Sequence, residues 1–264
     1  MIIATSIIVL GLLGFVFAAL LALAADYFKI EEDLRLAAIV AILPGANCGA
    51  CGAAGCRAFA ERLIKGEVAV SGCLAGGQDV ANQLAAVMGV EQPTDVHKRV
   101  AVVHCGAKGS QRKIKANYSG VKTCQAAEMI AGGGLMCGYG CLGYGDCYCV
   151  CPFDAIRMSD GLPVFDHNKC TACGKCVAAC PRKIISIIPY AFNVVVACSS
   201  RDTGAATRKN CPVGCIACKI CEKQAPAVFK VEDNLAVIDY TRTGIDGGPA
   251  IEKCPTKCII RIDQ

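Results

Sequence analysis

Four cysteines in the order Cys170-x2-Cys173-x2-Cys176-x3-Cys180, followed by Pro181, carry the most specific chemistry in this chain. This spacing places three thiolates on one tight loop around a single cubane and turns the fourth away to ligate a neighbouring cluster. Pro181 stops the loop from continuing as helix. Zinc ribbons also use Cys-x2-Cys, but they pair two such units across a longer spacer and need neither the third turn nor the Cys-Pro. The pattern therefore predicts a [4Fe–4S] cluster rather than zinc.

A partner series lies upstream. Cys141, Cys147 and Cys151-Pro152 have the same spacing, with Tyr144 where the second cysteine should stand. Cys137 is the nearest replacement, although Cys124 or Cys105 could serve. The spacing thus assigns one cluster to Cys137, Cys141, Cys147 and Cys180, and its neighbour to Cys151, Cys170, Cys173 and Cys176. Cys149 reads as a bystander.

The C-terminal series Cys215-x2-Cys218-x2-Cys221-x3-Ala225-Pro226 lacks its fourth cysteine, and Gly244, Gly247 and Ala250 hold the three spacings before Cys254-Pro255. In a two-cluster pattern all four losses belong to one cluster. The survivors Cys215, Cys218, Cys221 and Cys254 belong to the other. A different set, Cys48-x2-Cys51-x4-Cys56-x16-Cys73, is interleaved with Gly49, Gly52 and Gly55, which let the backbone approach inorganic sulfide. Zinc is the competing reading there. Sixteen cysteines are then placed in four clusters, leaving Cys105, Cys124, Cys149, Cys198, Cys211 and Cys258. Of these, Cys105, Cys124, Cys198 and Cys211 could hold a fifth cluster or be buried free thiols.

Composition agrees with a fold organised around clusters. The 264 residues include 22 Cys and 28 Gly; 54% are hydrophobic, yet only 6% are aromatic and Trp is absent. Charged residues at 19% and the high apolar content exclude disorder. A net charge of +5 without a basic run excludes a nucleic-acid binder. Thiolate motifs of this kind need a reducing compartment. His97, His104 and His167 have no ligand or catalytic spacing, Gly132-Gly133-Gly134 reads as a turn, and no Gly-x-Gly-x-x-Gly follows a strand. No catalytic residue is expected; the chain moves electrons and leaves substrate chemistry to partners.

The elements that must position these thiols follow. Residues 1–25 carry no charge and, as a helix, would span roughly 37 Å, enough to cross a bilayer. All 27 Lys and Arg come after position 28, so the positive-inside rule puts the N-terminus outside and the remainder in the cytoplasm. Residues 26–43 read as the cytoplasmic exit of that helix, and helical stretches are expected at 57–64 and 80–88. Short β-prone runs at 184–188, 194–197 and 236–239 fit small hairpins, and no long helix is expected after 130. Val102-Val103-His104-Cys105 is echoed by Val195-Val196-Ala197-Cys198, and Cys137-Gly138-Tyr139-Gly140-Cys141 by Cys211-Pro212-Val213-Gly214-Cys215. Such an internal repeat argues for duplication of a cluster-binding unit. The predicted fold is α+β: a transmembrane anchor (1–26), a small helical four-cysteine domain (27–93), a two-cluster ferredoxin-like domain (94–190) and a degenerate one-cluster copy (191–264).

The segment Asn47-Cys48-Gly49-Ala50-Cys51-Gly52-Ala53-Ala54-Gly55-Cys56-Arg57, then Gly72-Cys73, then ferredoxin repeats behind an anchor, resembles the B subunit of the Rnf complex, a membrane-bound, ion-translocating ferredoxin oxidoreductase. The stretches 137–147 and 151–156, with Lys169-Cys170-Thr171-Ala172-Cys173-Gly174-Lys175-Cys176, extend the resemblance over nearly the whole chain. It implies a subunit that accepts electrons from soluble reduced ferredoxin and passes them to other subunits in the membrane. Those partners would reduce NAD+, or a quinone-like carrier, and drive Na+ or H+ across the bilayer. The absent C-terminal cluster shortens the relay compared with fuller relatives. Two other readings stand beside this one: a related complex that keeps a redox regulator reduced, and a tethered zinc scaffold without redox chemistry. Lys169, Lys175, Arg182, Lys183, Lys219 and Lys223, near the clusters, either steer an acidic ferredoxin or form an ordinary solvated surface.

Overall fold

The structure is a computed structural model that describes residues 2–27, 33–93, 98–241 and 247–262. The uncharged N-terminal run forms a single helix, α1 (Ile2–Tyr27). Its stretch Thr5–Ala25 has a mean hydropathy of 2.9 and is not buried against the rest of the chain. Those 21 residues rise about 31 Å, close to the thickness of a hydrocarbon core. With Phe15, Leu21 and Leu23 bare on different sides, the helix is apolar all round and needs lipid as its solvent.

α2 (Leu34–Ile42) is capped by Asp33, whose carboxylate accepts the Arg35 N–H at 2.9 Å. Leu36, Ile39 and Leu43 lie at helical spacing and bury against Phe59, Ala60 and Leu63 of α3 (Cys56–Ile64) and Leu84 of α4 (Gly77–Met88). Residues 34–42 therefore do more than lead the chain out of the membrane: they supply one of three helices around a core. α4 ends at Gly89, whose φ of +66° closes the helix in the left-handed region.

The rest of the chain is built twice on one plan. The first unit runs β1 (Arg99–Val103), α5 (Cys124–Met129), α6 (Asp146–Cys149), β2 (Ile156–Ser159), β3 (Leu162–Phe165), α7 (Lys175–Ala179) and β4 (Ile185–Pro189). The second runs β5 (Val194–Val196), α8 (Gly204–Asn210), α9 (Ile220–Gln224), β6 (Phe229–Glu232), β7 (Leu235–Ile238), α10 (Gly248–Lys253) and β8 (Ile259–Arg261). In each, the first and last strands pair antiparallel, Arg99 opposite Pro189 and Val194 opposite Arg261, while the middle strands form a hairpin. Asp160 and Gly161 turn the first hairpin and Asp233 and Asn234 the second, all four at positive φ. Such a two-residue turn matches the twist of its strands. Among the described residues no helix after 130 exceeds the seven residues of α8.

Alternation along β1 divides its labour. Val100 and Val102 pack with Ile188 and with Val195 of the second unit, whereas Ala101 faces Cys147 and Cys176. His104, just beyond β1, ties the two units together. Its Nδ1–H donates to the Val196 carbonyl at 2.9 Å, so Nε2 accepts the Ser186 hydroxyl at 2.6 Å. His167 is buried, and His97 lies outside the described residues.

The cysteine losses in the second unit have a packing counterpart. Val194, Ala225, Phe229 and Ala250 share one core, and the Val194 methyls stand 3.3 Å from where a Gly247 Cβ would be. Side chains occupy the space between these positions. Gly244 lies outside the described residues.

Candidate functional site

Twenty-one of the 22 cysteines line five cavities; the exception, Cys149, is exposed on α6. All the cysteines carry free thiols.

Cys48, Cys51, Cys56 and Cys73 surround a cavity of about 340 Å³, including its open side, floored by Leu43 and Phe59. Asn47, at a φ of +45°, accepts the Cys56 N–H on its Oδ1 at 2.8 Å and so seats the first turn of α3. A Cβ at Gly55 would lie 2.8 Å from that same Oδ1, so a larger residue there would push the Asn47 side chain off the Cys56 N–H. Burial pushes the Cys73 thiol up, and the charges of Cys51, Cys56 and Cys48 add to it. A thiol held as Cys73 is held costs more to ionise unless a cation stands beside it.

Cys151, Cys170, Cys173 and Cys176 line a second cavity of about 330 Å³ with Phe153, Ile156 and Phe165. Ala172 and Gly174, at φ of +55° and +77°, curl the loop before α7. The Ala101 N–H donates to Cys170 Sγ at 3.4 Å. Burial, then Cys170 and Cys173, push Cys176 up to about 12.

The third cavity, about 390 Å³, is lined by Cys141, Cys147 and Cys180 together with Cys124, the alternative to Cys137 that the spacing left open; Cys137 lines another cavity. The reason is a capping contact made across 22 residues. The Asp146 carboxylate accepts the N–H groups of Cys124 at 2.8 Å and Gln125 at 3.1 Å, docking the start of α5 onto α6. Thr123 completes the cap by accepting the Ala126 N–H. Tyr144, at the position of the missing cysteine, stacks edge-on with Tyr118 instead. Burial, then Cys141 and Cys124, push Cys147 up to about 12.

Cys215, Cys218, Cys221 and Cys254 line a fourth cavity of about 320 Å³, and Cys258 lines it with them. Cys258 Sγ stands 3.6 Å from Cys254 Sγ. Hydrogen bonding from Cys258 is the largest cause that brings Cys215 down to about 6 and Cys254 to about 5. Cys258 itself is pushed up, first as the donor to Cys215 and Cys254 and then by burial, so it holds its proton. Sequence spacing offered no signal for this fifth thiol. Cys105, Cys137, Cys198 and Cys211 line the fifth cavity, which Cys124 does not reach.

Among the described residues, no three His, Cys, Asp or Glu side chains close around a single ion. The apolar walls, the backbone donors aimed at sulfur and the convergence of thiols fit iron–sulfur clusters. One expectation about charge fails. The Arg182 side chain is only 4% exposed and bonds Glu128, Gly132, Cys137 and Gly140, so it is unavailable to steer a partner. Lys169, Lys183, Lys219 and Lys223 are exposed.

Residues 43–75 match the family described as "Putative Fe-S cluster", and residues 163–186 the "4Fe-4S binding domain" family. The B subunit of the Na(+)-translocating ferredoxin:NAD(+) oxidoreductase complex of Acetobacterium woodii is 42% identical over 253 residues, 95% of this chain and 75% of that protein. The B subunit of the ion-translocating oxidoreductase complex of Methanosarcina acetivorans is 38% identical, with 96% of both chains covered. The chain belongs to the family of Rnf complex B subunits. The B subunit of the proton-translocating ferredoxin:NAD(+) oxidoreductase complex of Clostridium ljungdahlii is also 38% identical, over 96% of this chain and 90% of its own. Membership in this Rnf family makes the chain an iron–sulfur electron-transfer subunit of a membrane-associated, multi-subunit oxidoreductase complex.

Proposed function

We propose that this chain accepts electrons from reduced ferredoxin and relays them through [4Fe–4S] clusters toward membrane partners that reduce NAD+ or a quinone-like carrier and translocate an ion. Four ligand sets would hold these clusters: Cys48, Cys51, Cys56 and Cys73; Cys151, Cys170, Cys173 and Cys176; Cys124, Cys141, Cys147 and Cys180; and Cys215, Cys218, Cys221 and Cys254. Each cluster supplies a one-electron site whose potential answers to hydrogen bonds and exposure.

The observation that carries this reading is that neighbouring thiol sets adjoin. Burial is the main cause of the upward shift at Cys173, and the charge of Cys48, from the N-terminal set, adds to it. Cys147 likewise responds to Cys176 of the next set. Enclosed thiol groups placed this way, with Cys147 and Cys176 in one core, support a relay rather than isolated structural knots. The absence of Lys and Arg before position 28 supports a topology with the N-terminus outside and the thiol-bearing units in the cytoplasm. The four exposed lysines support an acidic docking partner.

The test uses the full-length protein in detergent, prepared without oxygen and mixed with reduced ferredoxin. Rapid bleaching of its visible absorption is the expected outcome. A coloured protein that ferredoxin does not bleach would rule out the donor, and a colourless zinc protein would rule out the relay.

A further inference from the structure

We propose that Cys105, Cys137, Cys198 and Cys211 hold one more [4Fe–4S] cluster, seated between the two ferredoxin-like units and joining their clusters into one continuous path. The inference rests on the electron-relay reading and adds a site that neither matched family segment contains.

The four thiols line one cavity of about 500 Å³, including its open side, the largest of the five. Two come from each unit, and they are repeat equivalents. Cys105 follows β1 as Cys198 follows β5, and Cys137 precedes Cys141 by four residues as Cys211 precedes Cys215. Their backbone surroundings repeat as well. The N–H groups of Tyr139 and Gly140 donate to Cys137, and those of Val213 and Gly214 donate to Cys211. Gly140 and Gly214 stand at the same place in each copy, and a Cβ on Gly214 would run into the Thr207 methyl, so the second loop is packed tightly against α8. Duplication has thus preserved a half-site in each unit, and the packing of β1 beside β5 brings the halves together.

Buried free thiols are the competing account. Cysteine in a core behaves as a small hydrophobe and packs against its neighbours. Here four thiols instead face a common space, ringed by Arg112 and Lys113 with no carboxylate among the described lining residues. That charge balance suits an anionic thiolate-bound cluster.

Two hydrogen bonds give the site its role. Cys105 Sγ accepts the N–H of Cys141 at 3.3 Å, and Cys198 Sγ accepts the N–H of Cys215 at 3.2 Å. Cys141 belongs to the third thiol set and Cys215 to the C-terminal one. The bridge ligands therefore contact a ligand residue of each neighbour. Cys147 and Cys180 of the third set share one core with Cys151, Cys170 and Cys176 of the second, and the charge of Cys48 acts on Cys173. The five sets therefore fall in one linear order, in which the sets containing Cys48, Cys173, Cys147, Cys105 and Cys215 succeed one another. One electron at a time would pass along it, with no bond made or broken.

The test is iron and acid-labile sulfide per full-length chain, prepared anaerobically, with electron paramagnetic resonance of the reduced protein. About twenty of each are expected in the unaltered chain and about sixteen in the double variant Cys137→Ala/Cys211→Ala. Cys149→Ser should stay at twenty. In the double variant, magnetic broadening between the C-terminal cluster and its neighbour should disappear. Sixteen iron in the unaltered chain overturns the inference but leaves the relay reading intact, and this holds even if the double variant fails to fold. A chain without iron overturns both. A drop to sixteen with unchanged broadening overturns the bridging role.

Discussion

Arg182 offers the sharpest test of how the loops are held. Its side chain is 4% exposed, and its Nε pairs with Glu128 Oε2 at 2.6 Å. One Nη donates to the carbonyls of Cys137 at 2.9 Å and Gly140 at 2.7 Å, and the other to Gly132 at 3.0 Å. This one guanidinium therefore gathers the loop 128–140, which delivers Cys137, onto the chain two residues beyond Cys180. Arg182→Ala removes all four contacts. Glu128 is 37% exposed, so water screens it and the ion pair counts for at most about 1 kcal/mol. The three carbonyl bonds contribute roughly 1 kcal/mol each once water re-enters. The sum is about 3–4 kcal/mol, or a fall of about 6–16 °C in midpoint at ~2–4 °C per kcal/mol. The assay is thermal bleaching of the clusters under argon at a fixed scan rate, because cluster loss is irreversible. Arg182→Lys should recover less than half of the loss, since a point charge cannot span four acceptors in a fork. A midpoint for Arg182→Ala within 2 °C of the unaltered protein would refute this account of the loop.

Further outcomes follow from other contacts. Cys124→Ala should lower iron by about four per chain, measured by elemental analysis; unchanged iron would return the ligand role to another thiol. Cys258→Val should keep full iron but move the C-terminal cluster to a more negative potential in a redox titration, because a thiol donor to two ligand sulfurs is lost. Loss of iron in that variant would make Cys258 a ligand. Burial lowers the His104 pKa, so its neutral form stabilises the fold fully above the unfolded value near 6.5. That contribution falls by about 1.4 kcal/mol per pH unit as pH drops from there toward the folded value, and His104→Gln should flatten the acid limb of the stability profile. Removing residues 2–27 should release the protein from membranes with little change in cluster bleaching temperature, since α1 buries nothing against the rest of the chain.

Much of the local structure was legible from spacing. Cys170, Cys173 and Cys176 sit on one short loop, so the chain itself brings them together, and the positive φ at Ala172 and Gly174 shows how. The run 5–25 needs no partner to be read as a helix, because beyond Thr5 and Ser6 every residue on it is apolar or Gly and asks for the same solvent. The β-prone runs at 184–188 and 194–197 became β4 and β5 for a similar reason: β-branched residues alternate over a half-buried surface. The clean loss of one cysteine set in the second unit was also visible, and Val194, Phe229 and Ala250 pack where those positions meet.

Contacts between distant residues had no such signature. Cys124 lies 22 residues from Asp146, and only the cap that this carboxylate gives α5 places its thiol beside Cys141 and Cys147. Spacing alone favoured Cys137, which is nearer in sequence but held elsewhere by Arg182. Arg182 itself read as a surface cation, because sequence does not record which charges are enclosed by carbonyls. The pairing of Cys105 and Cys137 with Cys198 and Cys211 depends on how two copies of one unit pack. Short-range spacing determined which thiols share a loop, since bond geometry limits their reach; the tertiary structure decided which loops share a cavity, since that choice is made by buried contacts between residues far apart in the chain.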